Sequence, residues 1–303
     1  MQLNKFFILS FIFALTLISC GDDDNNNPRE IEVRDPEEQA LTDADSINNF
    51  LDTHFYNYEE FENPDEDFDY MVRFDTIAGD NADKRPLSEE ENLIMKKVVN
   101  NDVEYNMYVL KVREGEGQQP RFTDSTLVSY RGELLDLSAF DNANTPVWFD
   151  LGNPNLRIGF REGIIEFKAA NGFTVNPDNS VDFSDDFGIG ALIFPSGLGY
   201  FSSSQPSIPP YSPLIFTINL YRVNEADHDG DGIPSWMEDI NGNRNIFDDD
   251  TDGDGTPNFA DIDDDGDGKP TREEIIINED GSIEFPDTNG NGTPDYLDPD
   301  TFE

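Results

Sequence analysis

The residues best suited to do chemistry in this chain are carboxylates. From Asp227 to the end there are 25 acids and three bases. The stretch Asp248–Gly268 alone holds ten aspartates in twenty-one residues. Charges this crowded repel, so the segment is either a solvated, disordered tail or one held in shape by something positive. A disordered tail needs no register, and this one keeps one. Aspartates open a D-x-[DN]-x-[DN] unit at Asp227, Asp239, Asp250, Asp263 and Asp287, with steps of 12, 11, 13 and 24 residues, the last close to two periods.

Each unit resembles the calcium loop of an EF-hand. There, positions one, three and five supply side-chain oxygens, and glycine at six permits a sharp turn. On that resemblance the first unit offers Asp227, Asp229, Asp231 and, at position twelve, Glu238. The unit at 250 offers Asp250, Asp252, Asp254 and Asp261, and the unit at 263 offers Asp263, Asp265, Asp267 and Glu274. The last offers Asp287, Asn289, Asn291 and Asp298. A weaker unit has Asp239, Asn241 and Asn243, with Arg244 where glycine belongs. Flanking helices are missing, and proline recurs at position eight as Pro234, Pro257, Pro270 and Pro294. This tight spacing resembles thrombospondin type 3 repeats rather than paired EF-hands. The resemblance implies a chain wrapped around a row of calcium ions with little hydrophobic core. All-oxygen sets suit hard calcium better than zinc or copper. Extracellular calcium modules often bind at ~10⁻⁴–10⁻³ M. His228 is expected as a spacer in the first loop, facing solvent.

The rest of the composition narrows the options. The chain has 303 residues, 65 acids against 19 bases, and a formal charge of −46. Phosphates would be repelled and no basic stripe appears, so nucleic acid is not an expected partner. With one cysteine, Cys20, there is no internal disulfide, and two histidines make a histidine triad or a structural zinc site implausible.

Cys20 has its own context. Lys5 precedes an apolar run, Phe6 to Ile18, too short for an ordinary transmembrane helix and suited to a secretory signal. The ending "LISC" resembles the bacterial lipobox, whose cysteine carries the lipid after cleavage. "GDDDNNNP" then resembles the surface-export signal of Bacteroidetes lipoproteins, with a plain flexible spacer as the other reading. The expectation is an outer-membrane protein, lipid-anchored through Cys20 and exposed at the cell surface.

A second set of motifs lies upstream of the acidic region. "YVLKVREGEG", "STLVSYRGELLDLSAFDNA", "GFREGI", "IFPSGLGYF" and "SIPPYSPLIFTINLYRV" occur in an order that resembles FKBP-type peptidyl-prolyl isomerases. The resemblance spans about 120 of the 303 residues. It implies an antiparallel sheet curled around one short helix, with an aromatic pocket between them and proline-containing polypeptides as clients. Tyr130 forms one wall, and Phe140 and Asp141 supply an apolar wall and a carboxylate. Phe149 and Leu156 lie along the pocket, and Phe160 takes the place of the family's floor tryptophan. The family uses the backbone N–H at the place of Arg157. Tyr200 gives a hydroxyl for the substrate carbonyl, and Ile208 and Phe216 complete the lining. Such a pocket needs no nucleophile. Peptide rotation faces a barrier of ~18–20 kcal/mol from amide resonance. An apolar site disfavours the charge-separated planar amide, and aromatic walls fit the twisted one better. Val147, Arg157 and Phe201 depart from the family pattern, and an insertion over 171–186 either covers the pocket or extends the edge beside it. The fold with little or no activity, as a docking module of an outer-membrane secretion or assembly complex, is the competing expectation. Carbohydrate capture has only exposed aromatics behind it.

These sites need elements to position them. Residues 1–19 read as a signal peptide and 20–45 as an acidic tether. A helix follows Ser46, with Ile47, Phe50, Leu51, His54, Phe55 and Tyr58 at helical spacing and His54 packed on its apolar face. "FDYMVRFDTIAG" alternates like a strand. "PLSEEENLIMKKVVNN", with Ser88 and Glu91 as a capping box, reads as a short helix. This 46–102 extension precedes a 103–225 unit of alternating strands around one helix-like piece, "REGIIEFKAA", with Ile164, Ile165 and Phe167 facing a sheet. The fold class is α+β, with an irregular calcium-bound tail over 226–303.

Overall fold

The computed structural model describes residues 33–66 and 68–301. The signal run, Cys20 and the acidic run behind it lie outside the described residues. Arg34–Glu303 is one compact unit.

Alternating apolar residues pair into a six-stranded antiparallel sheet. Its strands are β1 (Leu93–Asn100), β2 (Val103–Arg113), β3 (Ser125–Leu134), β4 (Ala139–Asp150), β5 (Gly188–Phe194) and β6 (Leu214–Asn224). The spatial order is β1-β2-β5-β6-β3-β4. Central β5 and β6 are buried on both sides, which fits their continuous apolar sequences. Even residues of β6, Leu214, Phe216, Ile218 and Leu220, face one core with Phe160, Ile164 and Phe167 of the short helix α2 (Ile158–Ile164) and its exit. Ile215 faces the other way, with Leu110, Ile189 and Ile193, onto Ile47, Phe50 and Leu51 of the N-terminal helix α1 (Pro36–Thr53). Each face of the sheet thus carries helix: α2 on one, and α1 with the short helix Tyr58–Glu62 on the other. Gly159 sets how closely α2 approaches: a Cβ there would sit 2.3 Å from the Phe194 ring.

Four elements differ from the sequence expectation: the helix expected within REGIIEFKAA, residues 161–170, instead spans Ile158–Ile164 because Gly163 and Ile164 close it, and three others shift as follows. α1 begins at Pro36, not after Ser46, because Asp35 caps it by accepting the Glu37 and Glu38 N–H groups and Pro36 is preset for a first turn. The segment 68–79 is strand only over Phe74–Thr76, paired with His54–Tyr56. Residues 93–100 are strand, not helix; only a single 3₁₀ turn, Leu87–Glu89, stands near the capping-box signal. Asn101 and Asp102 have φ of +49° and +63°, a two-residue turn that folds β1 straight back onto β2. Cross-strand pairing outweighs a local cap.

In the acidic region all five units close the same way. The first aspartate of each accepts the N–H five residues on: Asp227 from Gly232, Asp239 from Arg244, Asp250 from Gly255, Asp263 from Gly268 and Asp287 from Gly292, at 2.9–3.2 Å. Arg244 adopts the glycine conformation its position demands, at φ +66°. The units are not simply strung in a row. Ile233, Ile275 and Tyr296, from well-separated units, form a small buried core with Met237 and Phe285. The region also docks on the sheet domain: the Arg121 guanidinium lies 3.5 Å over the Trp236 ring, and Arg244 pairs with Glu162 of α2 at 3.1 Å. His228 is exposed, as expected of a loop spacer, but its ring is engaged, with Nδ1 2.8 Å from Ser235 Oγ and Nε2 3.3 Å from Asp150. His54 packs on Phe50, 4.2 Å from its ring, but from just past the end of α1: His54, Phe55 and Tyr56 form a short strand and are not on the helix face.

Candidate functional site: an aromatic pocket and a carboxylate-lined tail

The register brings the pocket residues together. Phe216 sits opposite Gly132 on β3, Ile218 opposite Tyr130, and Gly132 opposite Asp141 on β4. Phe160, 2% exposed, is the floor. Its ring lies 5.1 Å from Phe149, 5.4 Å from Phe216 and 6.5 Å from Tyr130. Phe140 stands edge-on to Phe216 at 5.5 Å, and Gly132 makes room for it: a Cβ there would meet the Phe140 ring at 2.5 Å. Leu156, Tyr200 and Ile208 pack against the same cluster. The Tyr130 hydroxyl donates to Asp141 Oδ2 at 2.7 Å. Burial first, and the Asp141 carboxylate second, hold the Tyr130 phenol protonated well above its ordinary range. Asp141 is exposed, so one polar rim borders a dry floor.

The departures find places. The Arg157 side chain folds back onto the Asn155 carbonyl, with its guanidinium 4.9 Å over the Tyr200 ring, so it covers one wall rather than filling the pocket. Phe201 stands at φ +47°, the left-handed conformation that a glycine takes more easily, and stacks edge-on to Tyr211 at 5.2 Å. Val147 is exposed on the edge strand β4. The insertion forms a hairpin, Phe173–Val175 with Val181–Phe183. Phe183 meets Tyr221 at 5.0 Å, and Tyr221 packs with the α1 face of the sheet. The hairpin therefore lies away from the pocket.

In the tail, four groups of three carboxylates each bring one oxygen per residue within 4.8 Å of the others: Asp227, Asp229, Asp231; Asp231, Glu238, Asp264; Asp250, Asp252, Asp254; and Asp263, Asp265, Asp267. Asp261 and Glu274 join none of these. In the last unit the Asn289 and Asn291 amides donate to Asp298 Oδ2 at 2.8 and 2.7 Å, which gathers those three side chains. Asn241 donates to Asp249, a buried acid beside the weak unit. Burial first, then neighbouring carboxylates, pushes Glu238 up to about 10 and Asp264 up to about 8. Burial likewise lifts Asp229 to about 7, Asp231 to about 6 and Glu274 to about 7. Oxygens of Asp229, Asp231, Asp239, Asp263, Asp265 and Asp267 are buried without a hydrogen-bond donor. Orphaned, inward-facing carboxylate oxygens fit a hard divalent cation, which would add positive charge there.

Comparison with known proteins separates the two regions. Residues 116–221 match the family model "FKBP-type peptidyl-prolyl cis-trans isomerase". That segment is FKBP-like. Residues 228–286 match a second model, "BamM C-terminal". Among curated proteins, the FKBP-type peptidyl-prolyl cis-trans isomerase FkpA of Escherichia coli is 30% identical over 118 residues, 38% of this chain and 37% of FkpA. The chain thus spans little more than a third of the curated relatives it matches. Among solved structures, Escherichia coli FkpA aligns at 20% identity and a TM-score of 0.35, over 62% of this chain and 63% of that one. A peptidyl-prolyl cis-trans isomerase from Pseudomonas syringae pv. tomato aligns at 20% identity and 0.34, over 45% and 84%.

Sequence reasoning passed over Asp264, Asp249 and Asp43. Asp264 occupies position two of its unit, where the others carry His228, Ile240, Thr251 and Thr288. That mismatch was the available signal. Asp43 had none, since its partner Ser196 lies 153 residues on in the chain.

Proposed function

We propose that this chain is a lipid-anchored, cell-surface peptidyl-prolyl cis-trans isomerase that assists the folding of secreted or outer-membrane proteins, with a C-terminal region ordered by calcium. One observation carries the catalytic reading: the dry aromatic cluster floored by Phe160 and bordered by the Tyr130–Asp141 hydrogen bond. A prolyl ring enters against Phe160 and Phe216. Stripping water from the prolyl carbonyl disfavours the planar, charge-separated amide, and the aromatic walls bind the twisted form better. Tyr200 and the Arg157 N–H are the donors the family resemblance assigns to the substrate. No covalent intermediate is involved. Calcium would be held by the aspartate and asparagine oxygens of the five units, and it supplies the charge neutralisation that lets them fold.

The test is a coupled prolyl-peptide isomerisation assay on the chain from residue 21 onward. Catalysis well above the buffer rate is expected, with Asp141→Ala and Tyr200→Phe each losing roughly tenfold. A wild-type rate equal to buffer overturns the enzyme reading. A second reading has its own support. The match of residues 228–286 to the BamM C-terminal model favours a subunit of an outer-membrane assembly complex in which the FKBP-like domain docks a partner. Capture of one stoichiometric membrane complex by a catalytically silent chain would select it.

A further inference from the structure

Three carboxylates from two distant units meet in the interior of the tail. Asp231 and Glu238 belong to the first unit, and Asp264 belongs to the fourth. One oxygen of each lies within 4.8 Å of the others. Their exposures are 3%, 0% and 2%. Both oxygens of Glu238, both of Asp264 and Oδ2 of Asp231 are buried with no hydrogen-bond donor. Asp264 is held in place from behind: its N–H donates to Thr271 Oγ1 at 3.1 Å, and the Thr271 N–H donates to the Ile262 carbonyl at 2.9 Å. Tyr296 and Ile233, both buried, pack in the same small core. Buried like charges with bare oxygens are strongly unfavourable unless they take up protons or a cation sits among them. The donors are oxygens only, which selects a hard divalent ion.

We propose that Asp264 reaches across from the fourth unit to complete the coordination of a calcium ion held by Asp231 and Glu238 of the first, so that this ion is a cross-link closing the tail on itself. This rests on the calcium reading of the tail. Asp264 stands at a position that is not a ligand in the EF-hand-type pattern, and aspartate occurs there in no other unit of this chain. Asp231 also belongs to the group Asp227, Asp229, Asp231, so the cross-link grows out of the first unit's own loop. The segment between, with the second and third units, becomes a loop tied at both ends.

Calcium titration of the full chain in detergent, by calorimetry and, in a Trp148→Phe background, by Trp236 emission, tests this. Trp236 lies between Asp231 and Glu238 in the chain and reports on the first unit. Asp264→Asn keeps the shape and removes the charge. It is expected to weaken one calcium site at least tenfold and to shift the Trp236 response to higher calcium. Asp287→Asn, in the fifth unit, is expected to weaken calcium binding without moving the Trp236 response. Thermal unfolding supplies the second readout. Asp264→Asn should melt lower than wild type in calcium but equal or higher in chelator, where no ion rewards the buried carboxyl. Wild-type calcium binding that Asp264→Asn leaves unchanged overturns the cross-link alone. A variant that melts lower in both conditions overturns it too, since the carboxylate then acts without calcium. No calcium heat in wild type removes the calcium reading and the cross-link with it.

Discussion

The carboxylate of Asp43, on α1, accepts both the backbone N–H of Ser196 at 2.8 Å and its hydroxyl at 2.6 Å, across 153 residues of chain. Gln39 donates to the other oxygen at 2.7 Å, and Asp43 is 2% exposed. Burial raises its carboxyl above the ordinary range against these hydrogen bonds. Ser196 opens the turn that leads to Tyr200. Arg34 makes a parallel tie, donating its N–H to the Tyr211 hydroxyl and covering that ring at 4.4 Å. The N-terminal helix is therefore keyed into the loop that carries a proposed substrate donor.

Asp43→Ala strands the buried Ser196 and Gln39 donors. It should cost about 1–3 kcal/mol in urea unfolding. In the isomerase assay it should raise KM more than it lowers kcat, because the loop is loosened while the aromatic floor stays in place.

The hairpin over 171–186 packs on the α1 side of the sheet, away from Phe160 and Tyr130. Replacing residues 174–182 by a short glycine-serine turn should leave kcat/KM on a model peptide unchanged. A large gain or loss would mean that the hairpin reaches the pocket in solution.

His54 titrates below its ordinary 6.5, because burial against Phe50 disfavours the imidazolium. A depressed folded value means the neutral form is the stabilising one. Its contribution is full above pH 6.5 and is lost as pH falls through the folded value. The urea midpoint of wild type should therefore drop more between pH 7.5 and 5 than that of His54→Phe, with NMR titration of the His54 ring reporting the shift directly.

Removing calcium with a chelator should expose the repeats first. Limited proteolysis is expected to cleave within 227–301 while 34–224 stays resistant, since the sheet domain has two apolar cores of its own and the tail's core is small. Equal resistance of the tail with and without calcium would contradict the proposed role of the ion.

What could be read ahead of the structure was what is local. The D-x-[DN]-x-[DN] period survives intact because each loop closes on itself, first aspartate to the N–H five residues on. The strands of the FKBP-like domain were legible because alternation and turn residues act within a few positions. Local signals misled where partners decide. The Ser88–Glu91 capping pattern pointed to a helix, but β1 has β2 beside it, and the Asn101–Asp102 turn makes that pairing immediate. The start of α1 hid in an acidic run whose composition resembled a tether, although Asp35–Pro36 is a good helix start.

By itself, then, the sequence determined the repeat period, the all-oxygen character of its side chains and the order of aromatic residues in the sheet domain, because these depend on neighbours along the chain. Only the tertiary structure decided that Asp264 meets Glu238, that Asp43 holds Ser196, and that the inserted hairpin leaves the pocket uncovered. Each of these joins or separates segments through burial and charge in three dimensions, and no spacing along the chain encodes which buried carboxylate will face which partner.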